Sequence, residues 1–315
     1  MRAGFFFAAA AVVGLAGCIS LPQTEALRAA APPGLPARAE LQQVPFHAQE
    51  DFLCGPASLA MVFNAAGVAA NVESLTPLVY LPGRQGSLQA EMLGATRRSG
   101  LVAYTLAPEL ESVLREVAAG TPVVALLNLA LRIMPIWHYA VVVGYDLERG
   151  IIVLRTGRKS RDEVAIGFFE FLWRDAGHWS MLALPPGRVA ATAREPEFGA
   201  AVAALERSGR RAEARESYRA LLARWPASLS GLFGLGNVEY ALGNVAAAEG
   251  AFRRATEAHP NAAPAFNNLA HVLAVLGRLA EAENAARTAV GLGGPTAPEA
   301  RKTLEAILAR RLTRP

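Results

Sequence analysis

Two cysteines and five histidines in 315 residues leave few ligands for a metal and at most one disulfide. The histidines are scattered (His47, His138, His178, His259, His271), and no Cys/His cluster has zinc spacing, so no metal and no other cofactor is expected. Charge is also thin. Asp, Glu, Lys and Arg make up 18% of the chain, and the net charge of +4 comes largely from scattered arginines, several of them paired, as at Arg97-Arg98 and Arg210-Arg211. Such pairs fit solvated helix faces, and without a dense basic stripe interleaved with aromatics no nucleic-acid partner is expected. What is plentiful is apolar: 52% of residues, enough for a proper core, on a chain long enough for two domains.

At the N-terminus, FFFAAAAVVGL (Phe5 to Leu15) follows Arg2, has the length of a signal-peptide core and is short for a membrane span. It runs into Leu15-Ala16-Gly17-Cys18, a tetrapeptide that resembles the bacterial lipobox. The resemblance implies removal of residues 1–17 and acylation of Cys18, giving a membrane-anchored protein of the cell envelope. Because Ile19 rather than Asp follows the cysteine, it also implies the outer membrane, facing the periplasm, in a Gram-negative host. Residues 18–40, rich in Ala and Pro, read as an extended tether. With Cys18 acylated, Cys54 has no disulfide partner, and an exported lone thiol is expected to be either buried or used.

Residues 41–188 alternate short helices with apolar strands, the pattern of an α+β domain. GPASLAMVFNAAG reads as a helix closed by Gly67, SLQAEMLGATRRSG as a second with Ser87 as its N-cap, and PELESVLREVAAG as a third with Pro108 in its first turn. TPVVALLNL, HYAVVVGYD and GIIVLRTG read as strands, and GRKSRDE after them as a solvated loop.

Residues 195–312 change character: Ala-rich, without strand signals, and periodic. Gly209, Gly243 and Gly277 recur every 34 residues, as do Ala214, Ala248 and Ala282, with Pro226 and Pro260 closing units. Tyr218 and Phe252 hold the aromatic register, which Ala286 breaks. LERSGRRAEARESYRALLARWP and its two successors resemble the tetratricopeptide repeat, an all-α solenoid whose groove implies a protein or peptide partner. APEARKTLEAILARRL then reads as the helix that caps the last apolar face.

Cys54 directly precedes that first helix. A helix N-terminus and a neighbouring imidazolium both lower a thiol's pKa, so the position predicts an activated thiolate. Pro56 suits a first turn, and Gly55 is expected to let a substrate approach the backbone. His138, at the mouth of its strand, is the histidine best placed by pattern, and Gln49, five residues before the thiol, has an amide able to donate to a developing oxyanion.

QEDFLCGPASLAMVFNAAG followed by HYAVVVGYD is similar to the C39 and C39-like cysteine peptidases, of papain-like fold. The resemblance implies peptide-bond hydrolysis, with Cys54 as nucleophile, His138 as general base and Gln49 at the oxyanion. The family's orienting Asp or Asn is missing from the next strand, which reads Arg155-Thr156-Gly157; Thr156 is the substitute at hand, with Asp146 and Asp162 in neighbouring turns. Two other readings stand beside the peptidase. One is an idle C39-like peptide-binding domain on a repeat scaffold; the other is a thiol acyltransferase, which the same dyad would serve if water were excluded.

Overall fold

The computed structural model describes residues 20–312; the signal segment and Cys18 lie outside them. The N-terminal half is an α+β domain on one antiparallel sheet. Its strands are β1 (Arg38–Glu40), β2 (Val102–Thr105), β3 (Val123–Asn128), β4 (Trp137–Asp146), β5 (Ile151–Thr156), β6 (Lys159–Ala165) and β7 (Ser180–Leu184), in the order β2-β7-β3-β4-β5-β6 with β1 on the far end of β4. The helices are α1 (Pro22–Ala29), α2 (Cys54–Ala65), α3 (Val72–Val79), α4 (Gln89–Arg98), α5 (Leu110–Ala118) and α6 (Ile166–Arg174). β3, β7 and most of β4 are buried along their length, as their near-continuous Val, Leu and Ala runs require. α2 is buried from Gly55 to Phe63 and lies against β4, which fixes its N-terminus over the strand's opening residues.

Three expectations are corrected here, and one helix is added. The described part of the expected 18–40 tether, residues 20–40, is built into the fold: from Pro22 the chain forms α1, then β1 pairs Arg38 with Asp146. The supposed loop GRKSRDE contains most of β6, a solvent-facing edge strand whose Glu163 is gripped by Arg149 and Arg161; such charged edges resist pairing with other chains. Ser87 does not cap α4: Leu88 stands at that position without a side-chain cap. α3 was not foreseen, although Asn71 and Ser74 form a reciprocal capping box at its start.

Seven helices follow: α7 (Glu195–Arg207), α8 (Arg211–Arg224), α9 (Leu229–Ala241), α10 (Val245–Ala258), α11 (Ala263–Val275), α12 (Leu279–Leu292) and α13 (Ala297–Leu312). The periodic glycines turn the chain within each pair, at φ 88° for Gly209, 83° for Gly243 and 79° for Gly277. Ala214, Ala248 and Ala282 are fully buried, as close helix packing demands, and α13 covers α11 and α12. In α9, whose GLFGLG run is poor helix-forming sequence, Gly234 and Gly236 leave room for the rings of Tyr218 and Phe252.

The two halves share a core. Phe198, Val202 and Leu205 of α7 are fully buried in the cluster that also holds Val102, Leu114 and Trp173, and the Phe198 ring lies 5.8 Å from that of Tyr104. Full burial of each such side chain is worth about 1.5–3 kcal/mol. The repeats are therefore bolted to the sheet domain. Among the described residues, no helix is long and apolar enough to cross a membrane.

Candidate active site

A cleft of about 860 Å³ opens at the end of the sheet where β4 begins and β5 ends. Cys54, Gln49, His138 and Gly157 all line it, so residues from four parts of the chain meet there. Phe52 and Trp137, about half exposed, form apolar walls; Glu50, Asp51 and Arg84 supply charge. Phe52 holds a left-handed φ of 65°, a conformation that costs a non-glycine residue about 1–2 kcal/mol, in the turn that aims the chain into α2.

Cys54 is the first residue of α2, with no acidic side chain in the first turn to offset the helix dipole. Burial pushes the thiol above its ordinary pKa, against a smaller opposing pull from neighbouring backbone N–H groups. Burial likewise lowers the pKa of His138. Desolvation thus disfavours the charged form of both groups and opposes the activation expected at the helix tip.

The imidazole is held by one bond, 2.7 Å from Nε2 to Thr156 Oγ1. With the hydroxyl oxygen accepting, Nε2 carries the proton and Nδ1 keeps its lone pair; Nδ1 has no hydrogen bond among the described residues. No hydrogen bond joins thiol and imidazole among those residues either. Asp146 and Asp162 are elsewhere, accepting from the Arg149 backbone N–H and pairing with Lys159 respectively.

Gln49 is 6% exposed and fully engaged. Its Oε1 accepts the Gly157 N–H at 2.7 Å, which fixes the amide's orientation, while Nε2 faces Ser58 Oγ at 3.3 Å and the Tyr139 carbonyl at 3.2 Å. Donation to a substrate oxygen requires one of those two longer bonds to be given up. Gly55 has a different reason from the one expected: a Cβ there would lie 2.3 Å from Ser87 Oγ, so the loop before α4, and not a substrate, occupies that space.

Sequence reasoning missed Ser58 and Asn128. Ser58 sits one turn after Cys54 on the buried face of α2 and points its hydroxyl at the same Tyr139 carbonyl, 3.4 Å away. Its signal was a lone polar residue in an apolar stretch. Asn128, 1% exposed, accepts the N–H groups of Ala130 and Ile136 and so shapes the hairpin that carries the cleft wall. The remaining histidines lie outside the cleft: His47 bonds Asn64, His178 packs on Trp173, and His259 and His271 belong to the repeats.

Among the described residues no group of three or more His, Cys, Asp or Glu is placed to hold a metal. The repeats form a second concavity of about 640 Å³, lined by Ala200, Ala203, Leu229, Phe233, Pro264 and Ala265.

No curated protein matches the chain. Solved structures similar to it cover just over a third of the chain. The Yersinia enterocolitica type III secretion chaperone SycD, in complex with a peptide of the translocator YopD, is 20% identical over 37% of this chain and 93% of its own, with a TM-score of 0.35. The TPR2B domain of yeast Sti1 is 16% identical over 37% and 97%, TM-score 0.35. The Sgt2 TPR domain of Aspergillus fumigatus is 18% identical over 38% and 79%, TM-score 0.35. Family models match two consecutive regions: residues 41–179 match the Peptidase_C39 like family, and residues 200–263 and 233–298 match the tetratricopeptide repeat.

Proposed function

We propose that this protein is a membrane-anchored cysteine peptidase, acylated at Cys18, whose repeats hold a protein partner or substrate. The observation that carries the reading is the cleft shared by the helix-tip thiol of Cys54 and an imidazole oriented by Thr156. From a neutral resting pair the chemistry is general-base catalysis. His138 Nδ1 takes the thiol proton as sulfur attacks a peptide carbonyl, and Thr156 Oγ1 holds the ring in the productive tautomer. The oxyanion meets the Cys54 backbone N–H, which has no helical partner at the first position of α2, and the Gln49 amide once it leaves Tyr139. Proton return from the imidazolium releases the amine, and water hydrolyses the thioester. The apolar walls at Phe52, Ile136 and Trp137 favour apolar side chains beside the scissile bond, and the Ala- and Pro-lined concavity of the repeats favours an apolar partner segment.

The idle peptide-binding reading is favoured by one observation, the neutral hydroxyl where a carboxylate would stabilise the imidazolium. A peptide library digested by the wild-type chain and by Cys54→Ala, read by mass spectrometry, separates the two. Cleavage confined to wild type supports the peptidase; binding without cleavage by both supports the idle domain.

A further inference from the structure

The start of the described chain is clamped to the sheet domain. The buried carboxylate of Glu170 accepts the backbone N–H groups of Gln23 at 3.1 Å and Thr24 at 2.7 Å, satisfying the first amides of α1 and meeting the positive end of its dipole. The Gln23 side chain adds two bonds, donating to the Pro108 carbonyl and accepting the Leu110 N–H. Leu21 packs its methyl against Gly167, where a Cβ would come within 3.2 Å of it.

These contacts fix which end of the domain α1 covers. Thr24 and Leu27 share a small cavity with Leu147, Gly150 and Ile166. Leu147 and Gly150 form the turn from β4 to β5, and Ile166 donates its N–H to the Gly150 carbonyl. β1 lies at the same end, with Arg38 opposite Asp146. The cleft is at the other end of β4, where His138 stands; eight residues of strand separate His138 from Asp146, a rise of about 26 Å. Cys18 precedes Leu21 by three residues, and three residues of chain span at most about 11 Å between Cα atoms.

We infer that the bilayer lies against the pole built from α1 and the β4–β5 turn, and that the cleft faces away from it. This rests on the proposed acylation of Cys18. The thiol then serves polypeptide in the aqueous phase, and a segment embedded in the anchoring leaflet is out of its reach. The exposed hairpin residues Leu131, Ile133 and Met134, on the cleft side, are likewise beyond the anchoring membrane.

The test uses the full chain produced in a bacterial host, in a Cys54→Ser background that keeps Cys18, with one added cysteine at Glu148→Cys in the near turn or Leu131→Cys in the far hairpin. Each is labelled with a fluorescent donor and reconstituted in phosphatidylethanolamine–phosphatidylglycerol vesicles carrying a headgroup acceptor. Energy transfer several-fold stronger from position 148 than from position 131 is expected. Glu170→Ala, which frees α1, should narrow the difference. Equal or stronger transfer from position 131, on protein that is vesicle-bound and acylated by mass spectrometry, overturns the orientation and leaves the lipoprotein reading intact. Unmodified Cys18 and no vesicle binding overturn both.

Discussion

The cleft and the repeats are built by opposite rules. In the repeats small and apolar residues recur in register around a few buried polar ones such as Ser217 and Glu239: Ala214, Ala248 and Ala282 are fully buried, and the turn glycines share nearly one φ. At the cleft, local rules are broken. Phe52 is left-handed, Ser87 Oγ is sealed without a partner, and a thiol and an imidazole are both desolvated. Backbone strain and desolvated titratable groups meet at the cleft, and regularity marks the repeats, whose positions answer to packing.

Breaking the cleft should cost function and leave the fold. Cys54→Ala is expected to lower peptide cleavage by a factor on the order of 10⁶, with the melting temperature nearly unchanged; residual cleavage near wild type would remove the thiol from the mechanism. His138→Ala should cost about 10²–10⁴ in cleavage rate, the usual worth of a positioned base.

Breaking the repeats should do the reverse. In Gly234→Ala the new Cβ would lie 2.2 Å from the Tyr218 ring, and such overpacking costs about 1–3 kcal/mol in chemical denaturation. Gly250→Ala is its control: nothing lies within 4 Å of that Cβ, and the helix should gain about 0.5–1 kcal/mol. Because α7 is buried in the common core, loss of the repeats should also unsettle the sheet domain, seen as one melting transition instead of two.

Thr156→Asp sharpens the comparison from the cleft side. A carboxylate at the imidazole should raise the His138 pKa by about 1 unit and move the acid limb of the rate profile to higher pH. A limb that stays in place would mean that Thr156 does not face the catalytic ring in solution. In the wild type, trapping of Cys54 by iodoacetamide should rise through a pKa above the ordinary thiol value of 9.0. A plateau near neutrality would indicate a preformed thiolate–imidazolium pair.

Much of this was legible in the sequence. The 34-residue period named the repeats, because only a helix pair with glycine at its turn and alanine at its contact keeps that spacing. Cys54, His138, Gln49 and Thr156 were each singled out from their positions beside a helix start, a strand mouth and the strand that follows. What could not be read was which physical effect dominates. The helix tip argued for an acidic thiol, but α2 and the surrounding loops desolvate the half-buried sulfur, which raises its pKa. Gly55 was given to a substrate because nothing in the sequence says that Ser87 comes to rest on it. The Ala- and Pro-rich start reads as a tether from composition alone because Glu170, which clamps it, is nearly 150 residues away.

The most direct test is the rate at which an activated peptide ester acylates Cys54, followed by intact mass and peptide mapping across pH in wild type and His138→Ala. A neutral thiol worked on by a neutral imidazole predicts a rate that rises with an apparent pKa below 6.5 in wild type and loses that limb in His138→Ala. Equal acylation of both proteins at every pH, or none of either, would contradict it.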